Sequence, residues 1–265
     1  MQQGLPGDGE PEDARSPHRH VDHCQGIPPL SLSPRNGAIV GNGLPDDQHP
    51  DLEWKGAVPV ASRYGDPYYS LEDGLAEARH VFLAGNGLPD RFVPGFHVAE
   101  LGFGTGLNAL AAWAMWRESG VPGSLRFTSF ELFPMAPADM SRALSAFPEI
   151  SGLATQLVAA MDSPAREFVA DGLHLKIVLG DARETLASWD GAADAWFLDG
   201  FAPARNPEIW TPDLLHQVAR RTRPEGTAAT YSAAKAVRAG LADAGFAVER
   251  VPGFGRKRHM TVARS

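Results

Sequence analysis

From residue 96 to the C-terminus, short apolar runs alternate with stretches in which apolar residues recur every three or four positions. The short runs predict strands over 96–101, 126–132, 173–179, 194–198, 226–231, 247–251 and 259–263. The longer period predicts helices over 107–117, 137–147, 164–170, 182–189, 212–221 and 233–244. Such alternation builds a doubly wound, mainly parallel α/β sheet, because two parallel strands need a crossover and a helix usually supplies it. No helix separates the last two strands, so they are expected to pair antiparallel at the sheet edge.

Upstream the pattern weakens. Residues 51–95 carry extended stretches at 53–54 and 58–60, then a helix over 71–83 with Leu75, Ala78, Val81 and Phe82 as its apolar stripe. This segment is expected to cap a pocket in the 96–265 core, the two together making one domain over 51–265. Residues 1–50 are rich in Pro, Gly, Asp and His, and their one apolar patch at 27–30 is too small to offset the entropy of ordering. They read as a flexible extension. Within it His18, His20, His23 and Cys24 have a spacing that can hold a soft metal ion, but a tail of this composition needs none and no metal is assigned.

Composition narrows the classes. Cys24 is the only cysteine, which excludes an internal disulfide and a cysteine-rich zinc site. No apolar run approaches the roughly 20 residues that span a bilayer. No secretion signal is visible, so a cytoplasmic protein with no membrane partner is expected. Lys and Arg number 24 against 32 Asp and Glu, a net charge of -8, so a nucleic acid must be met by a local basic patch.

The candidate chemistry begins where the first strand meets its helix, in Glu100-Leu-Gly102-Phe-Gly104-Thr105-Gly106-Leu-Asn108. Glycines at alternate positions let a ligand approach the backbone, and the helix start offers amide donors. A dinucleotide fingerprint needs glycine or alanine at position 107, which is leucine. The acidic-x-Gly-x-Gly-x-Gly form resembles motif I of S-adenosyl-L-methionine-dependent methyltransferases. Seven strands with an antiparallel edge likewise suit a class I, Rossmann-like methyltransferase. Candidate cofactor residues are then Glu100, Gly102, Gly104, Thr105, Gly106 and Asn108, with three more strand ends. Glu131 closes the second strand and suits ribose hydroxyls. Asp181 with Ala182 follows the third strand, as an adenine contact or a helix cap. Asp199 ends the fourth, beside the reacting methyl group.

Three stretches carry a closer resemblance: Asp66-Pro-Tyr68-Tyr69-Ser70 with Asp73-Gly-Leu-Ala-Glu77, Glu100 to Asn108, and Asp199-Gly-Phe201-Ala-Pro203 through Trp210. Together with Thr230-Tyr-Ser-Ala-Ala234 and Gly253-Phe-Gly-Arg256-Lys257-Arg258-His-Met260, they resemble the methyltransferase domain of the MnmC family of tRNA-modifying proteins over about residues 52–264. The resemblance implies methylation, with S-adenosyl-L-methionine, of the aminomethyl group on the wobble uridine in the tRNA anticodon stem-loop. Bifunctional members add a flavin-dependent oxidoreductase domain for which this chain has no room. The resemblance therefore implies a stand-alone methyltransferase and a separate enzyme supplying the precursor. Asp199 is the candidate catalytic residue, orienting the amine and taking its proton. Tyr68, Tyr69, Phe201 and Pro203 are candidates for the uracil pocket, and Arg256, Lys257 and Arg258 for RNA phosphates. The alternatives are a methyl- or aminopropyltransferase for a free small amine, and a catalytically silent RNA-binding protein. A nicotinamide dehydrogenase is disfavoured by Leu107.

Overall fold

The computed structural model describes residues 49–163 and 165–265. The reading of residues 1–50, with its His and Cys group, lies outside them but for the last two positions.

The chain opens with a small antiparallel sheet of β1 (Leu52–Lys55), β2 (Val58–Ala61) and β3 (Asp66–Pro67). The two extended stretches expected here are the arms of a hairpin, with Leu52 opposite Ala61. Helix α1 (Gly74–Ala78) starts later than the apolar pattern suggests, because the Asp73 side chain accepts from the Ala76 amide and sets its N-cap. It runs on through a π turn, Arg79–Leu83, and a 3-10 turn, Ala84–Asn86. Leu75, Ala78, Val81 and Phe82 are all buried, as the stripe requires.

The main sheet follows in chain order: β4 (His97–Leu101), α2 (Leu107–Ser119), β5 (Leu125–Glu131), α3 (Pro137–Leu144), α4 (Ser151–Ala160), β6 (Glu167–Ala170), β7 (Leu173–Leu179) and α5 (Ala182–Ser188). Then come β8 (Ala193–Leu198), α6 (Pro212–Arg220), β9 (Thr222–Thr230), α7 (Lys235–Asp243), β10 (Ala247–Pro252) and β11 (His259–Arg264). The spatial order is β10-β11-β9-β8-β4-β5-β7-β6. Strands β9, β8, β4, β5 and β7 are mutually parallel, and β10 and β11 pair antiparallel as expected.

Two expectations are corrected. Among the described residues the sheet has eight strands, not seven, and the added one, β6, falls where a helix over 164–170 was expected. Glu167, Phe168, Val169 and Ala170 alternate in exposure and pair antiparallel with Lys176 to Leu173, so the free edge of β7 decides their conformation. The crossover before it is α4, which the pattern did not predict.

Two apolar clusters pack on the sheet's centre, which also buries His97, Glu100, Thr128 and Ser129. Every residue of β4 is buried, and Trp113 and Trp116 of α2 are each 1% exposed, Trp113 packing on Phe168 of β6 and Trp116 on Phe92. Their indole N–H groups donate to the carbonyls of Asp171 (2.8 Å) and Gly123 (3.3 Å), which locks the helix in register. Truncating either ring costs about 3–5 kcal/mol. From β4 the chain winds one way to β5 and β7 and the other way to β8 and β9. The crevice at the carboxyl ends of β4 and β8 is therefore the topological switch point, where open α/β sheets bind ligands. No helix of the described residues is long and apolar enough to cross a membrane.

Candidate active site

At the switch point the backbone comes first. Gly102, Gly104 and Gly106 have φ of +90°, +53° and +78°, left-handed values that favour glycine. A Cβ on Gly102 would stand 2.7 Å from the Asp199 carbonyl oxygen, so only glycine lets the β4 and β8 ends meet. The ladder continues past the strands: the Gly102 amide donates to Phe130 O (2.9 Å) and the Asp199 amide to Leu101 O (3.2 Å). Three strand ends thus hold one turn.

Carboxyl groups surround that turn. Asn108, in the first turn of α2, donates through Nδ2 to Glu100 Oε1 (2.9 Å) and to Asp199 Oδ2 (2.6 Å). Ser129 donates to the other Glu100 oxygen at 2.7 Å. Glu100 is fully buried and lies behind the cavity wall. Burial, and then the Asp199 charge, hold its carboxyl well above the usual carboxylate range. Asp199 is half-buried at the cavity and its pKa is pushed up to about 7. Burial is the main cause; the Asn108 hydrogen bond opposes it, Glu77 adds to it and Lys257 opposes it. Glu131 accepts from the Gly104 amide (3.0 Å) and the Phe133 amide (2.7 Å), so it shapes the turn while each oxygen keeps a lone pair for a ligand hydroxyl. Asp181 caps α5 through the Arg183 amide (2.9 Å), and the Arg183 guanidinium beside it holds its carboxyl below the ordinary value.

These groups open on one cavity of about 810 Å³, large enough for a nucleoside-sized cofactor and part of a second molecule. The small sheet and α1 form its outer wall. Asp66 accepts from the Ala202 amide at 2.9 Å, and the Arg205 guanidinium donates to Tyr64 O and Gly65 O, tying the loop after β8 to the β2–β3 turn. Phe201 packs between Tyr64 (centroids 4.8 Å) and Tyr68 (5.2 Å, edge to face). Burial raises the Tyr68 hydroxyl further above its usual value, so it stays neutral.

Among the other expected contacts, Thr105 and Ala182 face the cavity, whereas Gly106 and Pro203 lie outside its lining. Tyr69 borders it, but its single hydroxyl proton is shared between Ala57 O (3.0 Å) and Ala143 O (2.9 Å), which leaves no donor for a substrate. The basic tip differs most from expectation. Arg256 pairs with Glu72 (3.0 Å), and Lys257 turns inward to Glu77 (2.9 Å), so of the three cations Arg258 alone makes no ion pair among the described residues.

A family model described as S-adenosyl-L-methionine-dependent methyltransferase matches residues 148–265. The tRNA 5-methylaminomethyl-2-thiouridine biosynthesis bifunctional protein MnmC of Pseudomonas paraeruginosa is 44% identical over 229 residues, covering 82% of this chain and 35% of the relative. MnmC of Chromobacterium violaceum is 43% identical over 224 residues, with 80% and 34% covered. The crystal structure of MNMC2 from Aquifex aeolicus aligns with a TM-score of 0.65 at 28% identity, covering 83% of this chain and 71% of that one. The chain matches the methyltransferase domain of MnmC. It spans about a third of the length of the curated MnmC relatives.

S-Adenosyl-L-methionine, the cofactor of that family, fits the donor set. It is free of phosphate and carries ribose hydroxyls, and the crevice offers these the Glu131 carboxyl beside a turn with no Cβ at positions 102, 104 and 106. Within the MnmC-like site, the sequence reading missed several residues. Glu77, Tyr231, Arg63 and Arg205 all line the cavity. Glu77, Arg205 and Tyr231 lay in stretches that carried the resemblance, with no role attached to them, and Arg63 lay outside them all.

Proposed function

We propose that this methyltransferase acts on the aminomethyl group of the modified wobble uridine in the tRNA anticodon stem-loop. The observation that carries the reading is the Asp199 carboxyl, half-buried beside the glycine turn and titrating near 7. A primary alkylamine is mostly ammonium at neutral pH and has no free lone pair. A carboxyl of this kind binds the ammonium and accepts its proton within the working range. Asn108 fixes Asp199 Oδ2, which leaves Oδ1 to face the amine. Tyr68 and Phe201 offer aromatic surface to a uracil ring at the mouth.

The cofactor, when bound, supplies an already activated methyl group. The glycine turn and Glu131 hold it, Asp199 stands where the acceptor enters, and alignment supplies most of the acceleration. The work would take place with tRNA in the cytoplasm, after a separate enzyme has placed the aminomethyl group. A free small amine as acceptor is the second reading, favoured by the net charge of -8 and by the pairing of Arg256 and Lys257. Asp199→Ala tests the role of the carboxyl. It should abolish transfer while calorimetric affinity for the cofactor stays within a few-fold. Loss of both would make Asp199 a cofactor ligand instead.

A further inference from the structure

Lys257 stands on the tip between β10 and β11, yet its ammonium turns into the cavity rim. Nζ is 2.9 Å from Glu77 Oε1 and 3.8 Å from the centroid of the Tyr231 ring. A carboxylate on one side and an aromatic face on the other make a cradle for an ammonium ion. The walls of the cradle are fixed. Glu77 is 8% exposed and also accepts the Ser70 amide at 3.0 Å. The Tyr231 hydroxyl donates to Gly200 O at 2.8 Å, one residue beyond Asp199.

The occupant is held less firmly. The Lys257 side chain is 46% exposed, on a flexible stem, in a tip closed by the Gly253 amide donating to Arg258 O (3.1 Å). Glu77, Tyr231 and Lys257 all line the cavity that Asp199 faces.

We propose that the Glu77–Tyr231 cradle is the docking subsite where the acceptor's ammonium group is held before it passes to Asp199, and that the Lys257 ammonium fills it in the free enzyme. The inference rests on the acceptor being an alkylamine. A buried carboxylate does not give up its cation without replacement, because the unpaired charge would be left out of water. The aminomethyl group of the acceptor is also a primary ammonium on a short aliphatic stem. Exchange of one for the other conserves the charge, the three N–H donors and the contact with the ring. The displaced Lys257 ammonium joins Arg256 and Arg258 on the outside of the tip, where an RNA phosphate is the available anion.

The test uses n-butylammonium, which is the lysine side chain as a free molecule, and reads its binding calorimetrically without any methyl transfer. Lys257→Ala should bind it at least tenfold more tightly than the wild type, and adding Glu77→Gln should remove that gain. Lys257→Gln, which keeps the length of the side chain but not its charge, is read in the same way if the alanine variant does not fold. Equal binding by wild type and both single variants, or a gain that survives Glu77→Gln, would overturn the proposal. Transfer to tRNA by the wild type is scored separately. Its absence would sink the tRNA reading while leaving this binding result to stand or fall alone.

Discussion

Replacing Asn108 by alanine removes one amide that serves two acids. Its Nδ2 donates to Glu100 at 2.9 Å and to Asp199 at 2.6 Å, and alanine offers neither bond. A hydrogen bond to an ionised group is worth about 1.5–3 kcal/mol. The bond to Asp199 favours its carboxylate, so its loss raises the carboxyl further above about 7. At about 1.4 kcal/mol per unit, the lower end of that range is a shift of about one unit. Asp199 works as a carboxylate, so activity is present above its pKa and is lost as the pH falls through it. The acid limb of kcat/KM should therefore lie near 7 in the wild type and near 8 in Asn108→Ala. At pH 6 the variant should be about tenfold slower, recovering toward wild type on the alkaline plateau. The assay is transfer of labelled methyl into tRNA bearing aminomethyl-uridine across the pH range. A limb that stays near 7 while the plateau falls would refute the reasoning, and would assign Asn108 to cofactor binding alone.

Two further substitutions test the same crevice. Glu100→Gln should be more stable than wild type at neutral pH, with the advantage vanishing near pH 4. A buried carboxyl with a raised pKa loses stability once the pH passes its unfolded value, whereas glutamine does not titrate. Urea titrations at the two pH values measure this, and an equal difference at both would contradict the burial argument. Gly102→Ala places a Cβ 2.7 Å from the Asp199 carbonyl oxygen at a φ of +90°. It should cost about 1–3 kcal/mol in denaturant and weaken cofactor binding; a change too small to measure would mean that the two strand ends are free to move apart.

The order of strands and helices was legible because each crossover helix and each buried strand imposes its own period on the chain. The stretch over 151–170 was not. Ile150, which precedes α4, makes no side-chain cap, so the Ala-rich run that follows carries no start signal. Pro164 with Ala, Arg and Glu after it imitates the first turn of a helix, and only the open edge of β7 draws Glu167–Ala170 into a strand. In the site, Glu131, Asp181 and Asp199 were visible because each ends an apolar run. Asn108 as the link between two acids was not, since its partners lie 8 and 91 positions away. The Lys257–Glu77 pair spans 180 positions, and so a compact basic run read as an RNA contact is partly neutralised from within.

The most direct measurement is methyl transfer from labelled S-adenosyl-L-methionine offered to three acceptors side by side: tRNA bearing aminomethyl-uridine, unmodified tRNA, and free polyamines. Label should enter the aminomethyl-uridine tRNA alone. Label entering only the polyamines would contradict the tRNA reading.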